Sequence, residues 1–229
     1  MTKKLNCLAT LVSVVLILGG CIVRDELTTL TISPDGSADL VILRSNIRST
    51  KSGAAAEEEL ANYRREFEAR EEQQFSRIED AGGEIVEASW IREHPPFSNF
   101  IHAHLPNAES LERYGSLGDA EGNWSVTTRF HADGSRRRLE IEITPPPDAN
   151  PSGNPSSDAE ELKQGLADGI SETRIATVDG TITAAQGFTV ASDKQSALLA
   201  TRHIAAILDR NENGVLFLEW EVGQVAGSP

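Results

Sequence analysis

The feature that most constrains the fold is an apolar segment near the amino terminus that ends in a cysteine. Two lysines precede an apolar run over residues 5–18, and Leu18-Gly19-Gly20-Cys21 closes it. A positive start, a short apolar run and small residues before a cleavage point make up a secretory signal peptide. Removing the first 20 of 229 residues also removes Cys7, so Cys21 is the only cysteine left. The remaining body must therefore fold by packing, without internal disulfides.

The Leu18-Gly19-Gly20-Cys21 sequence resembles the lipobox of bacterial lipoproteins. In that family, signal peptidase II cuts before the cysteine. The thiol of this cysteine and the amino terminus that cleavage exposes are both acylated. The resemblance implies that Cys21 is the lipidated first residue and anchors the protein to the cell membrane. Because Ile22 rather than aspartate follows the cysteine, it also implies an outer-membrane destination if the cell is Gram-negative.

Two alternatives for the amino-terminal segment fit the residues less well. An uncleaved transmembrane helix needs about 20 apolar residues, whereas this run has about 14. A plain secretory signal peptide usually ends in an Ala-x-Ala-type site, which the sequence lacks.

The charge of the chain makes nucleic acid a poor partner. The formal net charge of −14 becomes about −16 once Lys3 and Lys4 leave with the signal. Nucleic-acid binding relies on basic side chains that neutralise phosphates, and an acidic body is repelled by anionic lipid head groups. We therefore expect membrane contact through acyl chains at Cys21 rather than through a basic face.

The body is predicted to open with a β-hairpin. Residues 27–44 alternate around Ser33-Pro34-Asp35-Gly36, where proline sets the turn and glycine supplies a positive φ. A three-residue loop with a bulge places Leu30 opposite Leu40, which keeps apolar residues on one face. A two-residue loop would mix apolar and charged partners.

Residues 54–81 form the clearest predicted helix. Ser52 is its candidate N-cap and Gly82-Gly83 ends it. One face is apolar except at Glu71 and carries Leu60, Tyr63, Phe67, Phe75 and Ile78. We expect this face to pack across the protein's own sheet. A partner-binding or coiled-coil helix is the alternative, but the stripe is too short for sustained heptads.

The hairpin around Asp133-Gly134 is the most strongly specified in the chain. Residues 123–131 and 135–144 flank this dipeptide, which is a strong two-residue turn signal. With Asp133 and Gly134 as the loop, Val126 faces Ile141 on an apolar face.

Alternation, caps and turn residues also predict the remaining elements. These are strands over 84–92 and 98–105, a short helix from Asn107 to Tyr114, a helix over 158–168, strands over 170–178, 180–184, 187–191 and 215–222, and an Ala-rich segment at 196–208 that is either helical throughout or a strand leading into a helix.

The proline-rich stretch 145–157 bears on the number of domains. About 70 residues follow it, which is marginal for an independent core without disulfides. We expect an anchor segment 21–26 and a single domain 27–224 in which 145–157 is an exposed loop. Two small domains, 27–144 and 158–224, are the alternative.

Hairpins interleaved with helices predict an α+β fold with a largely antiparallel sheet and one long amphipathic helix packed on it. The early PDG hairpin, the long helix, the strand GTITAAQGFTV and the final VLFLEWEV resemble the layout of the LppM-type bacterial lipoproteins. That resemblance implies an envelope lipoprotein and brings no active-site residues with it.

A candidate calcium loop lies near the carboxyl end. Asp209, Asn211 and Asn213 precede a glycine in the pattern D-x-N-x-N-G, which brings oxygen ligands together around Ca²⁺. The twelfth position, where such loops carry a bidentate glutamate, is Trp220. The alternative is a polar turn before a strand.

His102 and His104 occupy one face of a predicted strand at a spacing suited to a metal. The opposite face is apolar, so we expect both imidazoles to face solvent. A third ligand, His94 or His131, has no position that the sequence fixes.

Arg129, Arg136 and Arg138 gather near the Asp133-Gly134 turn. In the predicted register Arg129 lies opposite Arg138, a like-charge pair that is unfavourable without a nearby anion or carboxylate. Glu140 or Glu142 can supply that carboxylate on a solvated face. The alternative is a small anion-binding site for an envelope component such as a lipid head group.

Motifs of well-known enzyme classes are missing from the sequence, including G-x-S-x-G, the P-loop, H-E-x-x-H and G-x-G-x-x-G. We expect a non-enzymatic, lipid-anchored envelope protein that binds a protein partner or supports an assembly, without a cofactor. A small-ligand carrier and an envelope hydrolase that uses paired carboxylates are the alternatives.

Overall fold

The computed structural model describes residues 22–116, 125–145, 170–199 and 212–223, together with Ile207. The elements in chain order are β1 (Ile22–Ile32), β2 (Ala38–Ser49), α1 (Ala54–Ala69), α2 (Gln73–Asp80), β3 (Glu84–Arg92), β4 (Phe97–Leu105), α3 (Ala108–Gly115), β5 (Ser125–Asp133), β6 (Arg136–Thr144), β7 (Ile170–Val178), β8 (Thr181–Gln186), β9 (Phe188–Val190), β10 (Ser196–Leu199) and β11 (Gly214–Glu221).

The strands form two sheets. Sheet A has the order β3-β4-β2-β1-β7-β10-β9, and sheet B has the order β5-β6-β11-β8. The neighbours pair antiparallel except β1 and β7, which run parallel. The predicted α+β class built from hairpins is therefore confirmed, with two sheets in place of one. Both sheets combine strands from before and after residues 146–169, which lie outside the described part.

The first hairpin has the predicted register but a longer first strand. Leu30 pairs with Leu40 and Ile32 with Ala38, and Gly36 adopts φ +86° in the bulged turn. β1 begins at Ile22, five residues before its predicted start at Leu27. The prediction missed residues 22–26 because they are mostly polar, although each is half-buried and pairs with β2, β7 or both.

The predicted long helix is confirmed over the 27 residues from Ala54 to Asp80, with a short interruption. α1 ends at Ala69, and its C-cap Arg70 has φ 58° and ψ 35°. Glu72 is the N-cap residue of α2 and has an extended backbone. The N-cap is Gly53 rather than Ser52, without a side-chain cap. The interruption turns Glu71 out to solvent, which explains how the apolar stripe continues past it.

One face of sheet A carries most of the core. Over part of this face, Leu40, Ile42 and Ile101 pack against the aromatic and aliphatic side chains of α1 and α2. Over the rest, Ile32, Ala38 and Leu105 pack against sheet B, whose Trp220 is fully buried. The apolar face of the long helix therefore packs against the protein's own sheet, as predicted.

The register of the β5–β6 hairpin differs from the prediction. Val126 pairs with Ile143 instead of Ile141, and Asp133 pairs with Arg136. The two loop residues are Gly134 and Ser135, with φ +56° at Gly134. A loop with glycine at its first central position suits a type II′ turn. Asp133 is thus the last strand residue rather than part of the loop.

The other predicted elements that fall on described residues are present, and the segment predicted at 196–208 begins as strand β10 (Ser196–Leu199), so it is not helical throughout. The side chain of Asn107 caps α3 by accepting the Ser110 N–H at 3.0 Å. The predicted helix over 158–168 and most of 145–157 and 200–208 lie outside the described residues.

Candidate functional site

The predicted lipid anchor, Cys21, directly precedes the first strand of the fold. Cys21 and the signal segment 1–20 lie outside the described residues, but Ile22 is already the first residue of β1. β1 lies inside sheet A, between β2 and β7. Among the described residues, no helix has the length and apolarity needed to cross a bilayer.

The three predicted anion-binding arginines lie on one exposed face of sheet B, each beside a glutamate. The pairs are Arg129–Glu142 at 3.2 Å, Arg136–Glu219 at 3.5 Å and Arg138–Glu140 at 2.8 Å.

The predicted like-charge pairing on this face is wrong, because β5 and β6 are shifted by two residues. Arg129 lies opposite Glu140, and Arg138 lies opposite His131. The Arg138 guanidinium also stacks over the Phe217 ring, 4.0 Å from its centroid. The glutamates neutralise the charge of these arginines without a bound anion, so anion binding stays a prediction.

The calcium-loop prediction falls mostly on residues that the structure does not describe. Asp209 and Asn211 lie outside the described part, and Asn213 is exposed just before β11. The strand that follows Asn213 is present, as the alternative reading of a polar turn expects. Glu219, one of the acids beside Trp220, forms ion pairs with Arg136 and Arg138.

His102 and His104 point away from the core, as predicted. The side chains are 36% and 43% exposed, while Ala103 between them is fully buried. His104 Nδ1 lies 3.1 Å from Asp39 Oδ1, and His102 Nε2 lies 3.9 Å from the same oxygen. Within the described ranges, no group of three His, Cys, Asp or Glu side chains is arranged to hold a metal ion.

The most unusual polar site is a buried cluster around Arg44, which sequence reasoning missed. Arg44 is 1% exposed on the inner face of sheet A. Its Nε donates to Glu26 Oε2 at 3.0 Å, and its Nη1 donates to Glu72 Oε2 at 2.5 Å. Tyr63 Oη lies 3.4 Å from Nη1 and also accepts from Asn99. We call Arg44, Glu26, Glu72, Tyr63 and Asn99 the Arg44 cluster.

The electrostatics of the Arg44 cluster keep the arginine charged. Burial lowers the pKa of Arg44, but the nearby Tyr63, Glu72 and Glu26 outweigh burial, so its pKa is raised. Two carboxylates around one guanidinium leave one negative charge over, and Arg24 lies 3.3 Å from Glu26. With Arg24, the Arg44 cluster forms a charge-balanced ion network that joins β1, β2, β4 and the α1–α2 junction.

A depression of about 510 Å³ lies between α2 and the end of α3. Six of its seven lining residues have polar or charged side chains, among them Ser76, Arg77, Asp80 and Arg113. Arg77 donates to the carbonyl oxygen of Tyr114 through Nε and Nη2, at 3.1 and 2.7 Å. These bonds tie α2 to α3 and engage the guanidinium within the fold.

Comparisons with known proteins give a structural resemblance and no sequence relative. No protein-family profile matches the chain, and no curated protein sequence matches it. Its structure resembles the NMR structure of the folded domain of the Mycobacterium tuberculosis protein LppM. The TM-score is 0.40 and the sequence identity 12%, over 92% of this chain and 95% of that chain.

Proposed function

We propose that this chain is a lipid-anchored protein of the bacterial envelope with a non-enzymatic binding or assembly role. The observation that carries the proposal is the Leu18-Gly19-Gly20-Cys21 sequence after a short apolar run. Acylated Cys21 would hold the protein at the cell membrane, in the outer membrane if the cell is Gram-negative.

The described surface supports binding more than catalysis. Two largely buried acidic side chains, Glu26 and Glu72, share Arg44 and hold structural elements together. They do not face one another across an open cleft, which a paired-carboxylate hydrolase would need. An envelope protein partner would meet the charged outer side of α1 and α2, since Tyr63, Phe67, Phe75 and Ile78 are buried against sheet A.

A small-ligand carrier is the weaker candidate. It would need an apolar cavity between sheet A and the long helix. The contact between these elements instead contains Phe67, Phe75 and Ile78, which are at most 2% exposed, beside the Arg44 cluster.

The proposal is tested by purifying the full-length protein from its native membrane beside a Cys21→Ser variant. Trypsin cleaves after Arg24, so mass spectrometry of the short peptide that begins at Cys21 reports acylation directly. We expect the peptide to carry acyl chains, and we expect Cys21→Ser protein to leave the membrane fraction. An unmodified Cys21 in membrane-bound protein would refute the anchor.

The same preparations address the binding role. A stoichiometric protein partner that is lost with Cys21→Ser supports an assembly role at the membrane. A retained small molecule with no protein partner supports the carrier instead and argues against the assembly role.

A further inference from the structure

The strand pairing places the start of β1, the end of β2 and the β3–β4 turn at one end of sheet A. Ile22, at the start of β1, pairs with Ser49 at the end of β2. Phe97 at the start of β4 lies beside Ile47, and Arg92 at the end of β3 pairs with Ser98. The β3–β4 turn, residues 93–96, therefore lies at the same end as the residue that follows Cys21. We call this the anchor end of sheet A.

The β3–β4 turn reaches about the same level as Ile22. Ile47 is two residues before Ser49, so Phe97 lies about 7 Å inward of Ile22 at about 3.3 Å per residue. The four residues 93–96 turn the chain beyond Phe97, and two residues in the outward direction would cover about 7 Å. β1 and β4 are two strand spacings apart, about 10 Å. A surface that touches Ile22 would therefore also meet this turn.

The exposed side chains near this turn suit a bilayer surface. Ile91 is 58% exposed, the most exposed large hydrophobic side chain of the described part. Arg92, Pro95 and Pro96 are exposed beside it, and Arg48 is exposed at the end of β2. Glu57 in the first turn of α1 and Glu93 in the β3–β4 turn are exposed acids, so the anchor end carries both signs of charge. An apolar tip with mixed charges fits zwitterionic head groups better than an anionic surface.

We infer that the anchor end of sheet A rests on the membrane, with the β3–β4 turn and Ile91 in contact with phospholipid head groups. The inference rests on the proposed lipidation of Cys21. A lipidated cysteine directly before β1 leaves no flexible tether, so the end of the sheet lies within a few ångströms of the bilayer. The lipid anchor then fixes the orientation of the body as well as its location.

The experiment uses full-length lipidated protein in vesicles of phosphatidylcholine and phosphatidylethanolamine that carry a head-group quencher. Acylated Cys21 has no free thiol, so single cysteines introduced by Ile91→Cys, His94→Cys or Ser37→Cys can be labelled selectively with a fluorophore. Ser37 is the matched control, because it lies in the turn at the opposite end of β1. The 11 residues of β1 keep it about 35 Å from the anchor end.

We expect quenching of about twofold or more at positions 91 and 94 and none at 37, because contact quenching needs the label at the head groups. A flexible Gly/Ser insertion after Cys21 should reduce quenching at 91 and 94 while the protein still floats with the vesicles.

Equal quenching at all three positions, or none at any while the protein floats with vesicles, would overturn the inference and leave the anchor standing. Protein that fails to float would instead refute the lipid anchor and the inference with it.

Discussion

Replacing Arg44 with methionine should be among the most destabilising single changes in this protein. Methionine keeps much of the apolar stem but removes the guanidinium that pairs with Glu26 and Glu72. These two carboxylates are 11% and 10% exposed, so water compensates only a little for the lost cation. Removing one partner from a buried ion pair costs about 3–5 kcal/mol. Arg24 remains beside Glu26, which favours the lower part of that range.

The loss is large enough to measure by urea unfolding of the mature chain carrying Cys21→Ser. With a denaturant slope of about 2.5 kcal/mol per M, the midpoint falls by about 1–2 M. Arg48→Met is the matched control on the same strand. Arg48 is exposed, so this change should shift stability by less than about 0.5 kcal/mol.

A triple variant separates uncompensated charge from lost packing. Arg44→Met combined with Glu26→Gln and Glu72→Gln removes the isolated carboxylates and should regain most of the lost stability. The reasoning fails if Arg44→Met unfolds within about 0.5 kcal/mol of its parent. It also fails if the triple variant is no more stable than the single one.

Two further predictions concern the β1–β2 turn. Gly36→Ala should destabilise the protein by at least about 1 kcal/mol more than Gly134→Ala in thermal or urea unfolding. Both glycines have positive φ, but a Cβ at Gly36 would lie 2.7 Å from Ala108 Cβ, whereas a Cβ at Gly134 would face open space. Equal losses of stability in the two variants would contradict this prediction. The Ser37 hydroxyl and N–H hold the pKa of Asp35 below its usual value, so Ser37→Ala should raise that pKa, as followed by NMR titration of the carboxyl carbon. Because the pKa of Asp35 is lower in the folded than in the unfolded state, its carboxylate stabilises the folded state at pH values above the unfolded-state pKa. This stabilisation is lost as the pH falls through the folded-state pKa of Asp35. An unchanged pKa of Asp35 in Ser37→Ala would count against the assigned hydrogen bonds.

The elements that the sequence predicted well are those governed by local rules. The bulged turn at Gly36 follows from Pro34 and a glycine with positive φ, and it sets the β1–β2 register. Strict alternation in β4 separates buried Ile101 and Ala103 from His102, whose side chain is 36% exposed. In each case the deciding residues lie within a few positions of one another, so a short window contains the whole signal.

The features that escaped prediction depend on contacts between distant residues. A short sequence window around Glu26 or Glu72 predicts a side chain that faces solvent. Both side chains turn inward because they bind Arg44, which lies 18 and 28 positions away in the sequence and so outside any such window. The early start of β1 likewise depends on distant residues, because its first residues pair with β2 and β7. The β5–β6 register failed for a local reason, since glycine can occupy either central position of a two-residue loop.

The Arg44 cluster also bears on how a membrane anchor would connect to the rest of the protein. Glu26 lies only four residues beyond Ile22 on β1, and its carboxylate reaches Arg44 on β2. Arg44 in turn binds Glu72 at the α1–α2 junction. β1 is also hydrogen-bonded along both edges, to β2 and to β7. A strand held in this way cannot swing independently of the helices. An anchor on the residue before it would therefore orient the helices and the β3–β4 turn together, as one rigid unit.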